Sequence, residues 1–422
     1  MSNIFTSDKL KITLEKTGST VYAKMSFPVH CGIYNEIETP DFIFHFNLNG
    51  EIFRAKGKGR DWAHPHEWLK RTQGNDWIYY STGGYTGVFE ATGEYYLPNF
   101  QYPTNSILGG HPFAQQEIRH ICESWHQILQ ELLDHTLGWP DKFSSFLRDA
   151  IANSPEVLEQ KAHRLQEIVG GRISVLPPDA RHVDYNFIPL TISRGCLYKC
   201  TFCKVKNGTV FTEKTRPEIA RQIEQLKQHW GQDLVNYNSL FLGEHDALQT
   251  NADVILLSIE TAYKELGFAK SYIADNSTFL FGSVTSFLNA PECFFRQLNT
   301  FPGMTYINIG LESADQETLD RIGKPITERQ VEESFARSQD INDRYASIEI
   351  TANFIMDDKL PENHYRKILE LIREKLPHVK PKGSIYFSPL TFNQPSRSRL
   401  FEFNRLKIMS RLPAYLYIIQ RL

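Results

Sequence analysis

The chain has 422 residues, with 46 lysines and arginines against 49 aspartates and glutamates, so its formal net charge is −3 at pH 7. With 41% hydrophobic and 23% charged residues, the composition is that of a folded globular protein and excludes a largely disordered one. The near-neutral charge gives no sequence-wide reason to expect nucleic acid as a partner. At roughly 100–200 residues per domain, this length predicts two or three domains.

The N-terminal stretch and the cysteine content indicate the compartment. Residues 1–16 contain no apolar run of the kind found in a secretory signal. No stretch of the sequence is as apolar as the roughly 18–20 residues that a bilayer span needs. The 6 cysteines are too few for a disulfide-stabilised scaffold. We therefore expect a cytoplasmic protein without a transmembrane segment.

The first region, residues 1–175, is predicted to be a mixed α+β domain. Alternating apolar residues over 42–48 lead to Asn49-Gly50 and to a second strand-like stretch at 52–54. Because Asn and Gly tolerate positive φ, this pattern predicts a β-hairpin with a type I′ turn.

A second hairpin is predicted from strand-like stretches at 77–80 and 85–90. Apolar residues at helical spacing then predict helices over about 114–135, 142–152 and 155–168. Paired prolines at Pro177-Pro178 remove two amide donors and mark a junction with the next region.

The second region, residues 187–395, alternates apolar strand-like stretches with helical patterns. Strands are predicted at 188–192, 239–242, 278–281, 305–311, 347–355 and 384–387, with helices at about 216–230, 252–266, 291–299, 315–339 and 362–375. Six such steps predict an α/β fold in which parallel strands form a partial (βα)6 TIM-like barrel. Functional residues are then expected just after the strands, at the carboxyl face.

The remaining residues, 396–422, form a basic amphipathic C-terminal tail. Two interpretations stand: a segment that packs on the barrel with its charges in water, or a surface for a membrane or an RNA backbone. We expect the first.

A cluster of cysteines follows the first predicted strand of the barrel. Cys196, Cys200 and Cys203 are spaced by four and three residues on a loop, which chance placement would produce roughly once in a thousand such sequences. A structural zinc ion is usually bound by four protein ligands. The other cysteines are isolated in the sequence, so none of them is placed to be the fourth. Iron–sulfur clusters are held by cysteine thiolates, and three thiolates leave one iron of a [4Fe–4S] cluster open. We favour the iron–sulfur interpretation, with zinc or coincidence as the alternatives.

The motif Cys196-x3-Cys200-x2-Cys203, with Phe202 before the last cysteine, resembles that of the radical S-adenosylmethionine (radical SAM) superfamily, over about residues 187–395. The resemblance implies a [4Fe–4S] cluster whose unique iron is chelated by the amino and carboxylate groups of SAM. An electron would then split SAM into methionine and a 5′-deoxyadenosyl radical, which would abstract hydrogen from an unidentified substrate. The protein would bind, orient and shield these groups.

The resemblance also implies SAM contacts after the second strand. The family usually carries a Gly-Gly-Glu-like motif there, whereas this sequence has Gly243-Glu244-His245-Asp246. Either Glu244 or Asp246 would meet the SAM ammonium, and Gly243 would let the backbone approach the ligand closely. The alternative is a turn with solvated carboxylates.

Three further SAM contacts are implied. Glu312 follows the fourth strand, where the family commonly binds the ribose hydroxyls, and a carboxylate can accept from both. Its alternative role is a carboxylate at a helix N-terminus. Ser283 follows the third strand, and Phe202 is expected beside the cluster or against the adenine.

No cysteine set for a second cluster and no fused reductase are visible, so we expect a flavodoxin or ferredoxin to supply the electron. The N-terminal domain is expected to cover the barrel mouth or to bind substrate, because an open site would quench the radical. The alternatives to an enzyme are a non-catalytic iron–sulfur electron carrier or sensor, and a zinc-binding interaction module.

Overall fold

The computed structural model describes residues 3–7, 10–22, 30–60, 62, 64–82, 96–101, 111–134, 136, 138–203, 210–376, 382–390 and 397–422. These residues form an antiparallel sheet followed by a parallel sheet, as the sequence predicted.

The antiparallel sheet pairs its strands in chain order. Its described strands are β1 (Ile4–Ser7), β2 (Leu10–Thr17), β3 (Ile33–Glu38), β4 (Phe42–Phe46), β5 (Ile52–Gly57), β6 (Trp68–Arg71), β7 (Trp77–Ser81) and β8 (Leu97–Phe100). In the predicted second hairpin, β7 is present and pairs with β6 and β8. Its expected partner at 85–90 lies outside the described residues.

Three helices follow, α1 (Gln116–Leu133), α2 (Asp141–Ala152) and α3 (Pro155–Val169). On α1, Ile118, Ile121, Trp125 and Leu129 are buried, which is the apolar stripe that the sequence predicted. The helices α1 and α2 cover one face of the antiparallel sheet and share its core.

The first predicted hairpin is confirmed, but the predicted type I′ turn is wrong. Strands β4 and β5 pair antiparallel, yet only Gly50 has positive φ, at 76°. The Asn47 side-chain oxygen accepts hydrogen bonds from the amides of Asn49 and Glu51. This local bonding closes a longer turn, from Asn47 to Gly50, than the two-residue turn expected.

The second sheet is parallel, and each of the six predicted stretches overlaps one of its strands. In spatial order it consists of β17, β16, β15, β14, β13, β12 and β9. These strands are β9 (Ile188–Pro189), β12 (Ser239–Phe241), β13 (Ser277–Gly282), β14 (Met304–Glu312), β15 (Ile348–Met356), β16 (Ile385–Pro389) and β17 (Ala414–Leu416). Two short strands, β10 (Ser193–Arg194) and β11 (Thr212–Glu213), form a separate hairpin.

Helices connect the parallel strands. They are α4 (Arg216–Trp230), α5 (Ala252–Glu265), α6 (Val284–Asn289), α7 (Glu292–Leu298), α8 (Gln316–Arg321), α9 (Glu328–Arg344), α10 (Asn363–Leu369) and α11 (Arg397–Met409). The sequence predicted one helix at 315–339, but two are present. Gly323, with φ of 64°, ends the first, and Thr327 caps the second through its hydroxyl.

The α/β class is confirmed, whereas the expected six-unit barrel is not. The described sheet has seven parallel strands, because residues of the predicted tail form β17 beside β16. Helix α11 of the same segment buries Phe403 and Leu406. Apolar burial of this kind fits packing on the sheet.

A segment between the two sheets, residues 170–183, reaches both edges of the parallel sheet. Arg194, after β9, donates to the Gly170 carbonyl, while Leu176 N–H bonds the carbonyl of Gln420, beyond β17. The segment continues as a 3₁₀ helix, Pro178–Val183. The His182 ring stacks on Tyr306 of β14, with ring centroids 4.8 Å apart. We call the sheet face covered by this segment the inner face.

The antiparallel sheet meets the parallel sheet at the amino ends of its strands. The Asn236 amide bonds both the N–H and the C=O of Ile33, at 2.7 and 2.8 Å. The Leu48 N–H donates to Asp233. Both partners precede β12, so these contacts lie at the amino ends of the parallel strands. The expected role of the domain, to cover the barrel mouth or to bind substrate, stays a prediction.

Candidate iron–sulfur and SAM site

The three clustered cysteines lie on the hairpin between β10 and β11, directly after β9. The Gly195 backbone, with φ of 82°, lies so close to the Val210 carbonyl that an added Cβ would overlap it. Glycine at this position therefore lets the two arms of the hairpin approach each other. Residues 204–209, which follow Cys203, lie outside the described part of the chain.

The three thiols lie on one loop and differ in burial. Cys200 is buried, and Cys196 and Cys203 are partly buried. Burial raises the pKa of the Cys200 thiol to about 11, the nearby Lys324 ammonium opposes this rise, and the thiols of Cys196 and Cys203 add to it. Among the described residues, no group of three or more His, Cys, Asp or Glu side chains yet forms a metal-ligand set. The donor chemistry therefore fits an iron–sulfur cluster, while binding one requires the loop to draw its thiols together.

Two contacts tie the cysteine loop to neighbouring strand ends. The Tyr198 hydroxyl lies 2.6 Å from Thr285 Oγ1 and accepts from the Thr285 N–H at 2.9 Å. The Thr201 N–H donates to the Ile322 carbonyl at 2.9 Å. Phe202 is partly buried against the core of the parallel sheet. The loop is thus held against the carboxyl ends of β13 and β14.

After β12, the two carboxylates that the sequence left as alternatives have different surroundings. One oxygen of Glu244 accepts from the N–H groups of Ser174 and Val175, at 2.5 and 3.1 Å. Glu244 therefore holds the segment that links the two sheets. Gly243, with φ of 109°, gives the backbone the conformation that turns the chain there.

Asp246 is 3% exposed, and its two oxygens differ. Oδ1 accepts from the Ser283 N–H at 2.9 Å and from the Ser286 hydroxyl at 2.7 Å. Oδ2 is buried without a hydrogen-bond partner among the described residues. Since an unpaired buried carboxylate oxygen is costly, Oδ2 is suited to a cationic or donor group of a ligand. Ser283, expected as a ligand residue, is the N-cap of α6 and positions Asp246 through its amide.

Glu312 lies at a bulge where the pairing of β14 with β15 shifts register. Its φ of 65° is rare for a residue with a side chain and often marks a functional site. The carboxylate lies 3.6 Å from the buried Lys324 ammonium. Burial lowers the pKa of Lys324, but Glu312 and Cys200 outweigh it, so the pKa is raised. Lys324 also lies 5.3 Å from the centre of the Tyr198 ring, so it links Glu312 to the cysteine loop.

The inner face carries a hydrogen-bond chain that the sequence analysis missed. The Thr351 hydroxyl donates to Asp179 at 2.7 Å, and the Asn308 amide donates to Thr351 at 2.8 Å. Asn353 donates in turn to Asn308 at 2.5 Å, and Tyr386 donates to the other Asp179 oxygen. These hydrogen bonds join the linking segment to three strands, and no local sequence pattern reveals such a contact. The one signal in the sequence was the presence of polar residues within apolar strands.

A parallel α/β sheet with a three-cysteine loop and acidic side chains at its carboxyl end defines a class of cofactor-binding domains. Residues 190–372 match the family model of the radical SAM superfamily. The chain therefore contains a radical SAM domain over these residues. No curated protein matches the sequence.

Solved structures resemble part of the chain. A radical SAM methyltransferase from Sphaerobacter thermophilus is 14% identical with a TM-score of 0.40, over 55% of this chain and 65% of that one. The cobalamin-dependent SAM radical enzyme OxsB is 16% identical with a TM-score of 0.35, over 52% of this chain and 29% of that one. Methylornithine synthase (PylB) is 12% identical with a TM-score of 0.34, over 62% of this chain and 71% of that one. The chain thus spans less than two-thirds of the first two structures.

None of the helices in the described residues combines the length and the apolar composition that crossing a membrane would need.

Proposed function

We propose that the protein binds a [4Fe–4S] cluster through Cys196, Cys200 and Cys203 and uses it to cleave SAM reductively. When bound, the cluster supplies the electron that splits SAM into methionine and a 5′-deoxyadenosyl radical, which takes a hydrogen atom from an unidentified substrate. The observation that supports this proposal is the loop of three thiols, which contacts the segments after β13 and β14, where Ser283 binds Asp246 and Lys324 pairs with Glu312. The proposal includes a cytoplasmic location and an external protein as electron donor.

The residues around the loop have separate tasks in this proposal. The free Oδ2 of Asp246 accepts from the SAM ammonium, while Ser283 and Ser286 hold its other oxygen in place. The Glu312 carboxylate accepts from the ribose hydroxyls, and Lys324 holds it in position. Gly243 leaves room for the methionine part, and Phe202 shields the cluster from water. Glu244 is an anchor of the linking segment in this scheme.

The test is formation of 5′-deoxyadenosine. The protein is purified without oxygen, reconstituted with iron and sulfide, reduced with dithionite and given SAM, and the product is measured by chromatography. We expect product from the wild type and none from Cys200→Ala. The matched control is Cys293→Ala, which changes an exposed, isolated cysteine and should keep the wild-type yield.

Two results would contradict the proposal. A protein that binds iron but yields no product, and whose cluster EPR signal is unchanged by SAM, would be an iron–sulfur carrier or sensor. A colourless protein that binds zinc and no iron would be a zinc module.

A further inference from the structure

One face of the antiparallel sheet carries a row of buried polar side chains. His45 pairs with Arg54 across β4 and β5, and Arg54 pairs with Lys70 across β5 and β6. Cross-strand partners have adjacent side chains on the same face of a sheet. Arg54 and Lys70 are each 9% exposed, so two cationic side chains lie side by side away from water.

Among the described residues, neither of these cations forms an ion pair with a carboxylate. Arg54 donates to Nδ1 of His30, whose pKa is lowered by burial and by Arg54 itself. The Arg54 Nε is buried and has no hydrogen-bond partner in the described part of the chain. The Lys70 ammonium donates to the Asp184 carbonyl and to the Asn186 side-chain oxygen, at 2.6 and 2.7 Å. These bonds leave one of its three N–H donors for another group.

Nearby carboxylates compensate the two charges only in part. Burial lowers the pKa of Lys70 to about 8; Asp184 opposes this fall, and Arg54 adds to it. Burial also lowers the pKa of Arg54, and Asp184 again opposes the fall. The carboxylate of Glu36, which belongs to the same row, pairs with Lys16 at 2.7 Å. The two buried cations thus share Asp184 as their opposing charge, and a buried charge without a partner is costly.

A cavity adjoins these two cations. It has a volume of about 120 Å³ and lies between the antiparallel sheet and the residues that precede β9. Lys70 lines the cavity, and so does Phe53, whose ring centre lies 5.5 Å from the Arg54 guanidinium. Asn186 lines the cavity from the opposite side. Apolar and aromatic side chains make up much of the wall, among them Tyr22, Ile33, Ile78, Tyr80, Leu176 and Tyr237.

Other charged groups of the cavity wall have their own partners. Glu51 binds Lys161 at 2.6 Å and lies 3.8 Å from Arg71. The Asp233 carboxyl accepts from the Asn236 side chain at 2.7 Å, and burial raises its pKa to about 7. Lys70 therefore differs from the other two cations, since it has no carboxylate partner among the described residues.

We propose that this cavity binds a small organic carboxylate, whose charged group is held by Arg54 and Lys70. A single negative charge matches the one positive charge that Asp184 leaves uncompensated, whereas a phosphate group carries more than one. The apolar part of the wall suits a short carbon chain. Asp184 and Asn186 precede β9, so the site lies at the amino ends of the parallel strands, whereas the cysteine loop follows β9. The inference goes beyond the proposed iron–sulfur function and does not depend on it.

The experiment compares a carboxylate with its uncharged analogue on the full chain at pH 7. Isothermal titration calorimetry measures the binding of butyrate, of butyramide and of inorganic phosphate. Thermal unfolding, followed by tryptophan fluorescence, measures stability in the same solutions, with sodium chloride at equal ionic strength as the reference. We expect one butyrate to bind per chain and to raise the melting temperature, because a ligand that binds only the folded state stabilises it. Butyramide and chloride should not stabilise the chain, and phosphate should bind at least about tenfold more weakly than butyrate.

Three variants locate the ligand. Lys70→Met and Arg54→Met each remove one positive charge and keep an unbranched apolar side chain. We expect each to weaken butyrate binding at least about tenfold, because each removes a charge-assisted hydrogen bond. The matched control Lys11→Met changes an exposed lysine of β2 and should bind butyrate as the wild type does. Iron content after reconstitution should be the same in all three.

Equal affinities for butyrate and butyramide, or equal stabilisation by butyrate and chloride, would overturn the proposal. This comparison uses the wild type alone, so it holds even if a variant does not fold. Undiminished butyrate binding in both Lys70→Met and Arg54→Met would place the ligand elsewhere and overturn it as well. Tighter binding of phosphate than of butyrate would overturn the choice of a carboxylate. A chain that yields no 5′-deoxyadenosine would contradict the proposed function and leave this site unaffected.

Discussion

Two carboxylates with different surroundings, those of Glu244 and Asp246, lie two positions apart after β12. Glu244 and Asp246 both have one oxygen held by N–H or O–H donors. Only for Asp246 is the second oxygen buried without a partner. The sequence could not choose between them, because the choice depends on which groups from distant segments satisfy each carboxylate.

We predict that Asp246→Asn weakens SAM binding at least tenfold, because a hydrogen bond to a charged group contributes about 1.5–3 kcal/mol. The asparagine oxygen can still accept from Ser283 and Ser286, so the fold should be retained. The matched variant Glu244→Gln should bind SAM within about threefold of the wild type, since that range is under 1 kcal/mol. Equilibrium dialysis with reconstituted protein measures both affinities. A larger loss in Glu244→Gln than in Asp246→Asn would reverse the assignment.

Asp179 predicts a pH effect on stability. Burial raises the pKa of Asp179 to about 7, although hydrogen bonds from Thr351 and Tyr386 lower it. An unfolded Asp has a pKa near 3.9, so between about pH 4 and pH 7 the folded chain holds a proton that the unfolded chain has lost. The stabilisation from this proton is complete below about pH 4 and is lost as the pH rises to about 7.

In Asp179→Asn, the free energy of unfolding should therefore decline less between about pH 4 and pH 7 than in the wild type. The difference is at most about 4 kcal/mol, since one pKa unit corresponds to about 1.4 kcal/mol. Urea unfolding at several pH values, followed by tryptophan fluorescence, measures it. Asp41→Asn changes an exposed carboxylate and should follow the wild type. Parallel curves for Asp179→Asn and the wild type would contradict the prediction.

At the scale of an element, the β10–β11 hairpin owes its shape to Gly195. We predict that Gly195→Ala lowers the iron content after reconstitution by at least about half, because the added Cβ overlaps the Val210 carbonyl and the positive φ is unfavourable by about 1 kcal/mol. Far-UV circular dichroism should stay close to that of the wild type.

The control for this prediction is Gly267→Ala. Gly267 has φ of 70°, but nothing lies within 4 Å of an added Cβ, and the residue is remote in sequence from the cysteines. It should show the strain of positive φ without loss of iron. Equal iron contents in Gly195→Ala and the wild type would show that the hairpin tolerates a wider separation.

The single helix predicted at 315–339 is two helices in the structure. The stretch 315–339 has a continuous helical pattern, but Gly323 and Pro325 interrupt it, and Thr327 starts a new helix. Proline removes an amide donor and glycine allows the positive φ that ends a helix. The bulge that gives Glu312 its positive φ has no such sequence signal, because its strand reads as regular.

At the scale of the whole molecule, Asn236 joins the two sheets by pairing with both backbone groups of Ile33. We predict that Asn236→Ala lowers the melting temperature by several degrees, since it loses three hydrogen bonds, two with Ile33 and one with Asp233, which together contribute roughly 1.5–4.5 kcal/mol. Hydrogen exchange of β3 and of residues 233–238 should rise, while iron content is retained. Asn99→Ala, which removes hydrogen bonds within the N-terminal sheet, should leave exchange at 233–238 unchanged. Unchanged exchange in Asn236→Ala would mean that other contacts hold the sheets together.

The sequence alone determined the parallel strands, most of their helices and the cysteine loop, because periodicity and close spacing are local properties of the chain. It also placed Gly243, Asp246 and Glu312 just after strands. Tertiary structure decided the rest. The seventh strand, the inner-face chain from Asp179 to Asn353, the separate surroundings of Glu244 and Asp246, and the docking of the N-terminal sheet at the amino ends all join residues far apart in sequence. Such contacts depend on how segments satisfy one another's hydrogen bonds once apolar faces are buried, and no local pattern encodes that choice.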